Sequence, residues 1–172
     1  MQDFVHLHVH TQYSLLDGQA SVSRLVDKAM KDGMKGIAVT DHGNMFGIKE
    51  FTNYVNKKNS GPKGEIKDLK KRIAGIESGE IECEDKEAEI ADCRAKMAEA
   101  ESKLFKPIVG CEMYVARRTM DKKEGKPDQS GYHLIVLAKN EKGYHNLIKL
   151  VSHAWTRGYY MRPRTDLSLI HI

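Results

Sequence analysis

The sequence predicts an α/β fold built on a parallel sheet or barrel, with a pair of helices inserted into it. Three observations favour this fold. Short apolar segments of strand-like composition alternate with segments of helical periodicity. Turn-forming residues separate these segments. A long charged segment with coiled-coil spacing interrupts the alternation near the middle of the 172 residues.

The amino-terminal part of the chain supplies the first two strand–helix pairs. Strand, helix, strand and helix are predicted in turn over residues 4–10, 21–32, 36–40 and 45–55. Ser21 is a suitable N-cap for the first helix, and Gly33 is a stop signal after it. Later in the chain, strands are predicted at 107–115 and 132–138, and a helix at 142–153. This succession is typical of βα units in a parallel sheet.

Residues 57–105 differ from the rest of the chain in charge and in spacing. Their net charge is −1, whereas the whole chain carries +4. Apolar side chains recur every three or four positions from Ile66 to Ile76 and again from Ile90 to Leu104. This spacing predicts an antiparallel helical hairpin with a coiled-coil seam. We therefore expect residues 1–56 and 106–172 to form one domain into which the hairpin is inserted.

Composition excludes several classes of protein. The chain is 40% hydrophobic and 30% charged, which excludes collagen and wholesale disorder. It has neither an apolar run long enough to span a membrane nor a secretion signal, and its three cysteines lack metal-type spacing. A cytoplasmic location away from membranes is expected. The charge of +4 is too small to indicate nucleic-acid binding by itself.

The motif His8-x-His10 is the strongest chemical signal in the sequence. Side chains two positions apart on a strand lie on one face, roughly 6–7 Å apart along it. Both imidazoles can therefore reach one cation or two adjacent ones, and imidazole suits Zn, Mn and Fe. A solvated strand face that happens to be rich in histidine is the alternative interpretation.

Further metal-ligand candidates follow other predicted strands. Asp41-His42-Gly43 comes directly after the second strand, and a simple turn explains the aspartate and glycine but not His42. Glu112 is a lone charge within an apolar strand, where a carboxylate needs a partner or a metal. The full candidate set is His8, His10, Asp17, His42, Glu112 and His133. Six ligands exceed what one four-coordinate zinc uses, which favours two or three metals and phosphate-ester hydrolysis.

The segments that carry these residues resemble a known family. HLHVHT and TDHG are typical of the PHP (polymerase and histidinol phosphatase) superfamily, and YSLLDG, KPIVG and GYHNLIKL resemble its branch in bacterial replicative DNA polymerase III α subunits. The resemblance covers nearly the whole chain outside the hairpin. It implies a distorted (β/α)7 barrel with a trinuclear site of divalent metals, Zn or Mn.

The resemblance also implies a role for each ligand. His8 and His10 would bind the first metal, Glu112 would bridge metals, and His133 would serve the second. Asp17 and His42 would serve the third. His6 and Asp41 are expected to orient these ligands rather than bind metal. Arg117 and Arg118, which follow the strand of Glu112, are candidates for phosphate binding, although an exposed solubilising role is the alternative for each.

The function implied is that of a DNA-directed DNA polymerase, a nucleotidyltransferase of DNA replication. Its PHP domain would perform metal-dependent 3′–5′ exonucleolysis or serve as a docking platform for a separate proofreading exonuclease. Other partners would be DNA and, through the full-length chain, the sliding clamp. Two alternatives stay open: a free-standing phosphatase of the histidinol phosphatase type, and a non-catalytic docking module.

Two departures from the family pattern bear on activity. The later ligands of the family, a Cys or His and an Asp-x-His, do not occur before Ile172, and His171 matches no motif. We therefore expect this chain to be an incomplete barrel with little or no catalytic activity alone. The hairpin stands where relatives have a short connection, and a structural role is expected for it.

Overall fold

The computed structural model describes residues 4–129 and 131–170, so His171 lies outside the described residues. The elements are α1 (Val22–Lys31), β1 (Gly36–Val39), α2 (Ile48–Lys58), α3 (Ser60–Ser78), α4 (Lys86–Ser102), β2 (Lys106–Val115), α5 (Lys126–Gln129), β3 (Tyr132–Leu137), α6 (Glu141–Thr156), β4 (Arg164–Thr165) and α7 (Leu167–Ile170). Among these helices, none is long and apolar enough to cross a bilayer.

The strand predicted at residues 4–10 is not regular, and this prediction was wrong. The segment runs beside β1, where Ala38 N–H donates to His6 O and Thr40 N–H donates to Val9 O. The two bonded positions are therefore three residues apart in this segment but only two residues apart at β1. The extra residue produces a bend at residues 7–8, as a β-bulge does, and breaks the strict alternation of faces. The apolar Leu7, which lies at this bend, is 49% exposed.

The sheet is mixed rather than wholly parallel. Its order is β1-β2-β3, and β4 also pairs with β2. A parallel bridge joins His42, just after β1, to Glu112 in β2, and β4 is also parallel to β2. By contrast, β2 and β3 are antiparallel. Residues 116–131, which contain the short α5, connect them. Closure into a barrel stays a prediction.

Helix α6 packs against one face of β2. Cys111 and Met113 on that face form a buried cluster with Leu147, Leu150 and Ala154 of the helix. Burial raises the pKa of the Cys111 thiol to about 12, as expected for a packing residue. Since side chains alternate along a strand, the residues between them point to the opposite face. That face carries Glu112 and Tyr114.

Residues 53–106 form a compact unit of their own. Within it, α3 ends at Gly79, which has a φ of 83°, and α4 returns after a short connection with Asp85 as its N-cap. Asn59 bonds to both backbone groups of Phe105, which ties the two ends of the unit together. Ile76 and Cys93 are buried in it. That this unit is an insertion within a domain of residues 1–56 and 106–172 stays a prediction.

Candidate metal centre

The side chain of Glu112 lies at the centre of a cluster of imidazoles. It is 4% exposed, and its Oε2 is 2.5 Å from His8 Nε2 and 2.6 Å from His10 Nε2. Its Oε1 contacts His133 Nδ1 and lies 3.6 Å from His42 Nδ1. A buried carboxylate needs compensation, and here four histidines surround it.

The register of β2 and β3 brings His133 to Glu112. Glu112 faces Ile135 and Tyr114 faces His133 across the antiparallel pair, so His133 is a diagonal neighbour of Glu112 on the same face. The Tyr114 ring lies edge-on to His133 and stacks on His42, with ring centroids 4.9 and 5.7 Å apart. Tyr114 thus packs against both imidazoles, whose own ring centroids are 5.3 Å apart.

The bend in the amino-terminal segment turns two histidines toward the same carboxylate. His8 Nε2 and His10 Nε2 are only 3.0 Å apart, much closer than the rise of a regular strand separates two side chains. Thr40 fixes this segment, because its hydroxyl accepts from Val9 N–H and donates to Val9 O. The two imidazoles of this bulged segment therefore converge on Glu112.

Asp17 is delivered by a loop that Asp41 holds in place. The buried Asp41 carboxylate accepts hydrogen bonds from the backbone and hydroxyl of Thr11 and from the hydroxyl of Ser14. At the end of this loop, Asp17 Oδ2 contacts His10 Nδ1 and lies 3.2 Å from His42 Nε2. Gly18 is required there, since a Cβ would lie 1.9 Å from Thr11 O.

His42 is positioned by the turn that follows β1. Its backbone N–H donates to Ser14, and Asn44 donates to its carbonyl. Gly43 has a φ of 61°, and a Cβ on it would lie 2.7 Å from Pro163, so only glycine fits the turn without strain. His42 Nδ1 is buried and has no hydrogen-bond partner among the described residues. A buried imidazole nitrogen that has no hydrogen-bond partner and lies near the Glu112 carboxylate is suited to binding a cation.

The electrostatics of the cluster shift the pKa values of its ligand candidates in different directions. Burial lowers the pKa of His42, which favours the neutral imidazole that metals require. Burial works against the charge of Glu112, but hydrogen bonds from His10, His8 and His133 outweigh it and lower its pKa. Burial likewise opposes a charge on His10, yet its bonds to Asp17 and Glu112 raise its pKa. The bond with His10 lowers the pKa of Asp17.

The six candidate ligands fall into three overlapping groups whose ligand atoms lie within 4.8 Å of one another. The groups are His8, His10 and Glu112; His10, Asp17 and His42; and His42, Glu112 and His133. Imidazole nitrogen and carboxylate oxygen suit Zn and Mn, so these residues fit the expected divalent metals. Shared residues link the groups, and the donor set therefore fits adjacent metals rather than isolated ones.

Four other residues from the sequence analysis lie outside these groups. The exposed His6 packs its ring edge-on to Phe4, and Asp41 holds the loop described above. Arg118 forms a bidentate pair with the buried Asp128, which occupies much of its guanidinium. Arg117 lies over the ring of Tyr132, 5.6 Å from its centroid. Phosphate binding by these two arginines stays a prediction.

Two residues beside the cluster were missed by the sequence analysis. Tyr114 lies two positions after Glu112, so the alternation of a strand already places both on one face. Arg162 donates to the Tyr114 hydroxyl at 2.8 Å and lies over its ring. No pattern in the sequence marks Arg162, because it lies in an irregular segment. Both line a cavity of about 390 Å³ with Asp17, His42 and His133.

Comparison with known proteins gives a consistent result. Residues 6–171 match the PHP domain. The chain is 40% identical over 164 residues to a DNA polymerase III subunit alpha from Borreliella burgdorferi, covering 95% of this chain and 10% of that protein. For the Treponema pallidum protein of the same name, the identity is 39%, and the match covers 97% of this chain and 10% of that protein. For the Aquifex aeolicus protein of the same name, the identity is 33%, and the match covers 98% of this chain and 11% of that protein. The chain therefore spans about a tenth of the length of these relatives.

Proposed function

Since this chain belongs to the PHP domain family, we propose that it carries a phosphoesterase centre of two or three divalent metals within a replicative DNA polymerase III α subunit. The polymerase relatives match this chain over nearly all of its length. They support a place in a DNA-directed DNA polymerase, a cytoplasmic enzyme of DNA replication. A free-standing phosphatase has no comparable support.

One observation carries the proposal for the metal centre. Glu112 is buried and lies within 3.6 Å of four imidazoles that come from three separate segments of the chain. A solvated surface patch would not bury its carboxylate in this way. The unpartnered Nδ1 of His42 also supports a metal, since a buried polar atom without a partner destabilises the fold unless a ligand occupies the site.

In this proposal each ligand has a defined task. His8 and His10 would hold the first metal, His133 would serve the second, and Asp17 and His42 would serve the third. Glu112 would be shared between metals. When bound, the metals would supply charge neutralisation at the phosphate and an activated water. Asp41 keeps the loop of Asp17 in position through Thr11 and Ser14.

The proposed substrate is the 3′ end of a DNA strand. The cavity beside the cluster is open to solvent and is lined by His42, His133, Asp17 and the cationic Arg162. A phosphodiester could approach the ligands from this side, with Arg162 pairing with its negative charge. The proposed reaction is 3′–5′ exonucleolysis, and the wider partners would be DNA, a proofreading exonuclease and the sliding clamp.

A docking function without catalysis is the second candidate. The 53–106 unit contributes no residue to the three ligand groups, so its exposed residues would be available to a partner under this candidate. Under this candidate, metals would hold the domain together and partner binding would not depend on their chemistry. The two candidates differ in what a ligand substitution does to hydrolysis.

The test uses the full-length polymerase subunit that contains this sequence, purified free of other nucleases. We expect Zn or Mn in stoichiometric amounts and release of 3′-terminal nucleotides from mispaired DNA. His42→Ala should abolish the release and leave polymerisation intact. Bound metal without nucleotide release would favour the docking candidate. A subunit that binds neither Zn nor Mn would overturn the metal centre itself.

A further inference from the structure

An exposed aromatic groove lies beside the candidate metal centre. We define the aromatic groove by Phe46, Trp155, Tyr159, Met161 and Arg162, which line a cavity of about 270 Å³. The first four are unusually open for apolar side chains, with Phe46 69% and Met161 66% exposed. A cluster of exposed apolar residues of this kind marks a binding surface more often than chance.

Two rings of the aromatic groove are already arranged as a stack. Trp155 and Tyr159 lie nearly parallel, with centroids 5.7 Å apart and an angle of 19° between the rings. The indole N–H of Trp155 donates to the carbonyl of Gly43 at 2.8 Å, directly beside the metal-ligand candidate His42. The indole of Trp155 is therefore held in a fixed orientation, and the Tyr159 ring packs against it.

The aromatic groove is continuous with the cavity at the metal centre. His42, Tyr114, Leu15 and Arg162 line both cavities. Arg162 stands between them, over the ring of Tyr114 and hydrogen-bonded to its hydroxyl. A ligand can thus place an anionic group near Arg162 and the metal centre while an attached flat group reaches Trp155 and Tyr159.

We propose that the aromatic groove binds an unpaired nucleobase of single-stranded DNA whose phosphodiester lies at the metal centre. The proposal rests on the proposed function, which supplies the phosphate end of the ligand. Stacking of bases on aromatic side chains, next to a cation that pairs with the backbone, is how proteins bind single strands without sequence preference. Base-paired DNA hides the faces of its bases, so the groove selects an unpaired end.

A single-stranded nucleic acid fits this surface better than an apolar peptide does. A peptide would use the exposed apolar area but would gain nothing from Arg162 between the two cavities. A base with its phosphate uses both the stacked rings and the cation. The peptide occupant is nevertheless one outcome of the test below.

Trp155 is the only tryptophan of the chain and reports directly on the groove. The experiment follows its fluorescence while a short oligothymidylate is added, and repeats the titration with an abasic oligonucleotide of equal length and charge. We expect quenching by the first and little quenching by the second. Tyr159→Leu and Phe46→Leu, which keep apolar bulk but remove a ring, should each weaken binding by about fivefold or more, the loss expected for one base stack.

Two further variants separate the contribution of the Arg162 charge from that of the aromatic rings. Arg162→Gln should weaken binding of both oligonucleotides and reduce its salt dependence. Tyr144→Leu removes an aromatic ring that lies on α6, the helix of Trp155, but outside the aromatic groove. This variant should bind both oligonucleotides like the parent. Equal binding of the abasic and the normal oligonucleotide would overturn the proposal, as would unchanged affinity in Tyr159→Leu. Quenching by an apolar peptide but not by oligothymidylate would assign the groove to a protein partner and overturn it equally.

Metal analysis of the same samples separates this proposal from the proposed function. Stoichiometric metal without base-dependent quenching would refute the groove and leave the metal centre standing. Base-dependent quenching in a chain that binds no metal would refute the metal centre and leave the groove standing. Circular dichroism of each variant shows that lost binding does not reflect lost folding.

Discussion

The Oε2 atom of Glu112 lies 2.6 Å from Nε2 of His10, although 102 positions separate the two residues in the sequence. Strand β2 carries the first residue, and a bulged segment beside β1 carries the second. The same carboxylate contacts His8 and His133. Convergence of side chains from distant segments on one buried acid is what a metal centre requires, and several consequences can be measured.

Loss of the central carboxylate should remove most of the metal. Glu112→Gln keeps the size of the side chain but removes the negative charge and one of the two carboxylate oxygens of a residue that belongs to two ligand groups. We expect bound Zn or Mn, measured by plasma mass spectrometry after dialysis, to fall by at least about tenfold. Glu141→Gln changes an exposed carboxylate of α6 and should retain the parent stoichiometry. Equal metal content in both variants would contradict the assignment of Glu112.

Removal of metal should lower the thermal stability of the chain. A ligand at a hundred times its dissociation constant stabilises a fold by about 2.7 kcal/mol. For a chain of this size, that corresponds to roughly 5–10 °C in Tm. We expect a chelator to lower the Tm by this amount and added Zn or Mn to restore it. A Tm that does not respond to either treatment would argue against a bound metal.

The residues of the centre could be predicted from the sequence because they are unusual where they occur. Glu112 is a lone charge in an apolar strand, and His42 is not explained by the turn around it. Their companions His8 and His10 were identified from alternation along a strand, yet the structure shows a bulge there. The identity of the ligands therefore follows from residue type, whereas the bulge in the segment that carries His8 and His10 is an irregularity that alternation cannot predict.

Other parts of the structure had no signal in the sequence. The antiparallel pairing of β2 and β3 is a relative direction of two strands, which apolar patterning does not reveal. Arg162 lies in an irregular segment, and only the tertiary contact with Tyr114 brings it to the site. Long-range contacts of this kind carry no local periodicity. By contrast, the helices α1 and α6 have a local hydrophobic periodicity, and this pattern predicted them to within a few residues.

A buried arginine is expected to be essential for folding near the site. Arg164 is 1% exposed, and its guanidinium donates to the carbonyls of Gly158, Asp128, Met120 and Lys122. Arg164→Met should destabilise the chain by about 3–5 kcal/mol, because buried carbonyls would lose charged donors. Urea denaturation measures the change. Arg157→Met alters an exposed arginine and should cost less than about 1 kcal/mol.

Stability should depend on pH through Asp128. The Arg118 guanidinium holds the pKa of this carboxyl below its usual range, and the N–H of Glu124 adds to the effect. The unfolded chain therefore takes up a proton first, so the stabilisation is complete above about pH 4 and is lost as the pH falls further. Asp128→Asn should be less stable than the parent at pH 7, and urea denaturation should show the difference shrinking below about pH 4.

The matched control for this prediction is Asp121→Asn. Asp121 is exposed and lies 3.6 Å from Arg157, so its pairing is screened by solvent. We expect this variant to follow the parent at every pH. A difference between Asp128→Asn and the parent that stays constant from neutral to acidic pH would show that the Arg118 pair does not lower the pKa of Asp128.

Two glycine substitutions should have opposite effects on stability. Gly43→Ala places a Cβ 2.7 Å from Pro163 at a φ of 61°, so it should destabilise the chain by about 1–3 kcal/mol and disturb the neighbouring His42. Gly64 lies within α3 with open space around it, and Gly64→Ala should stabilise by about 0.5–1 kcal/mol. Thermal denaturation of both variants checks the signs. A neutral Gly43→Ala would contradict the turn geometry described for His42.

Crystallography with anomalous scattering tests the central claim most directly. Crystals of the chain grown with Zn or Mn, measured on both sides of the metal absorption edge, would locate each ion relative to the protein. We predict two or three anomalous peaks around Glu112, within ligand distance of His8, His10, Asp17, His42 and His133. The same side chains converging on Glu112 with no anomalous peak among them would contradict the account.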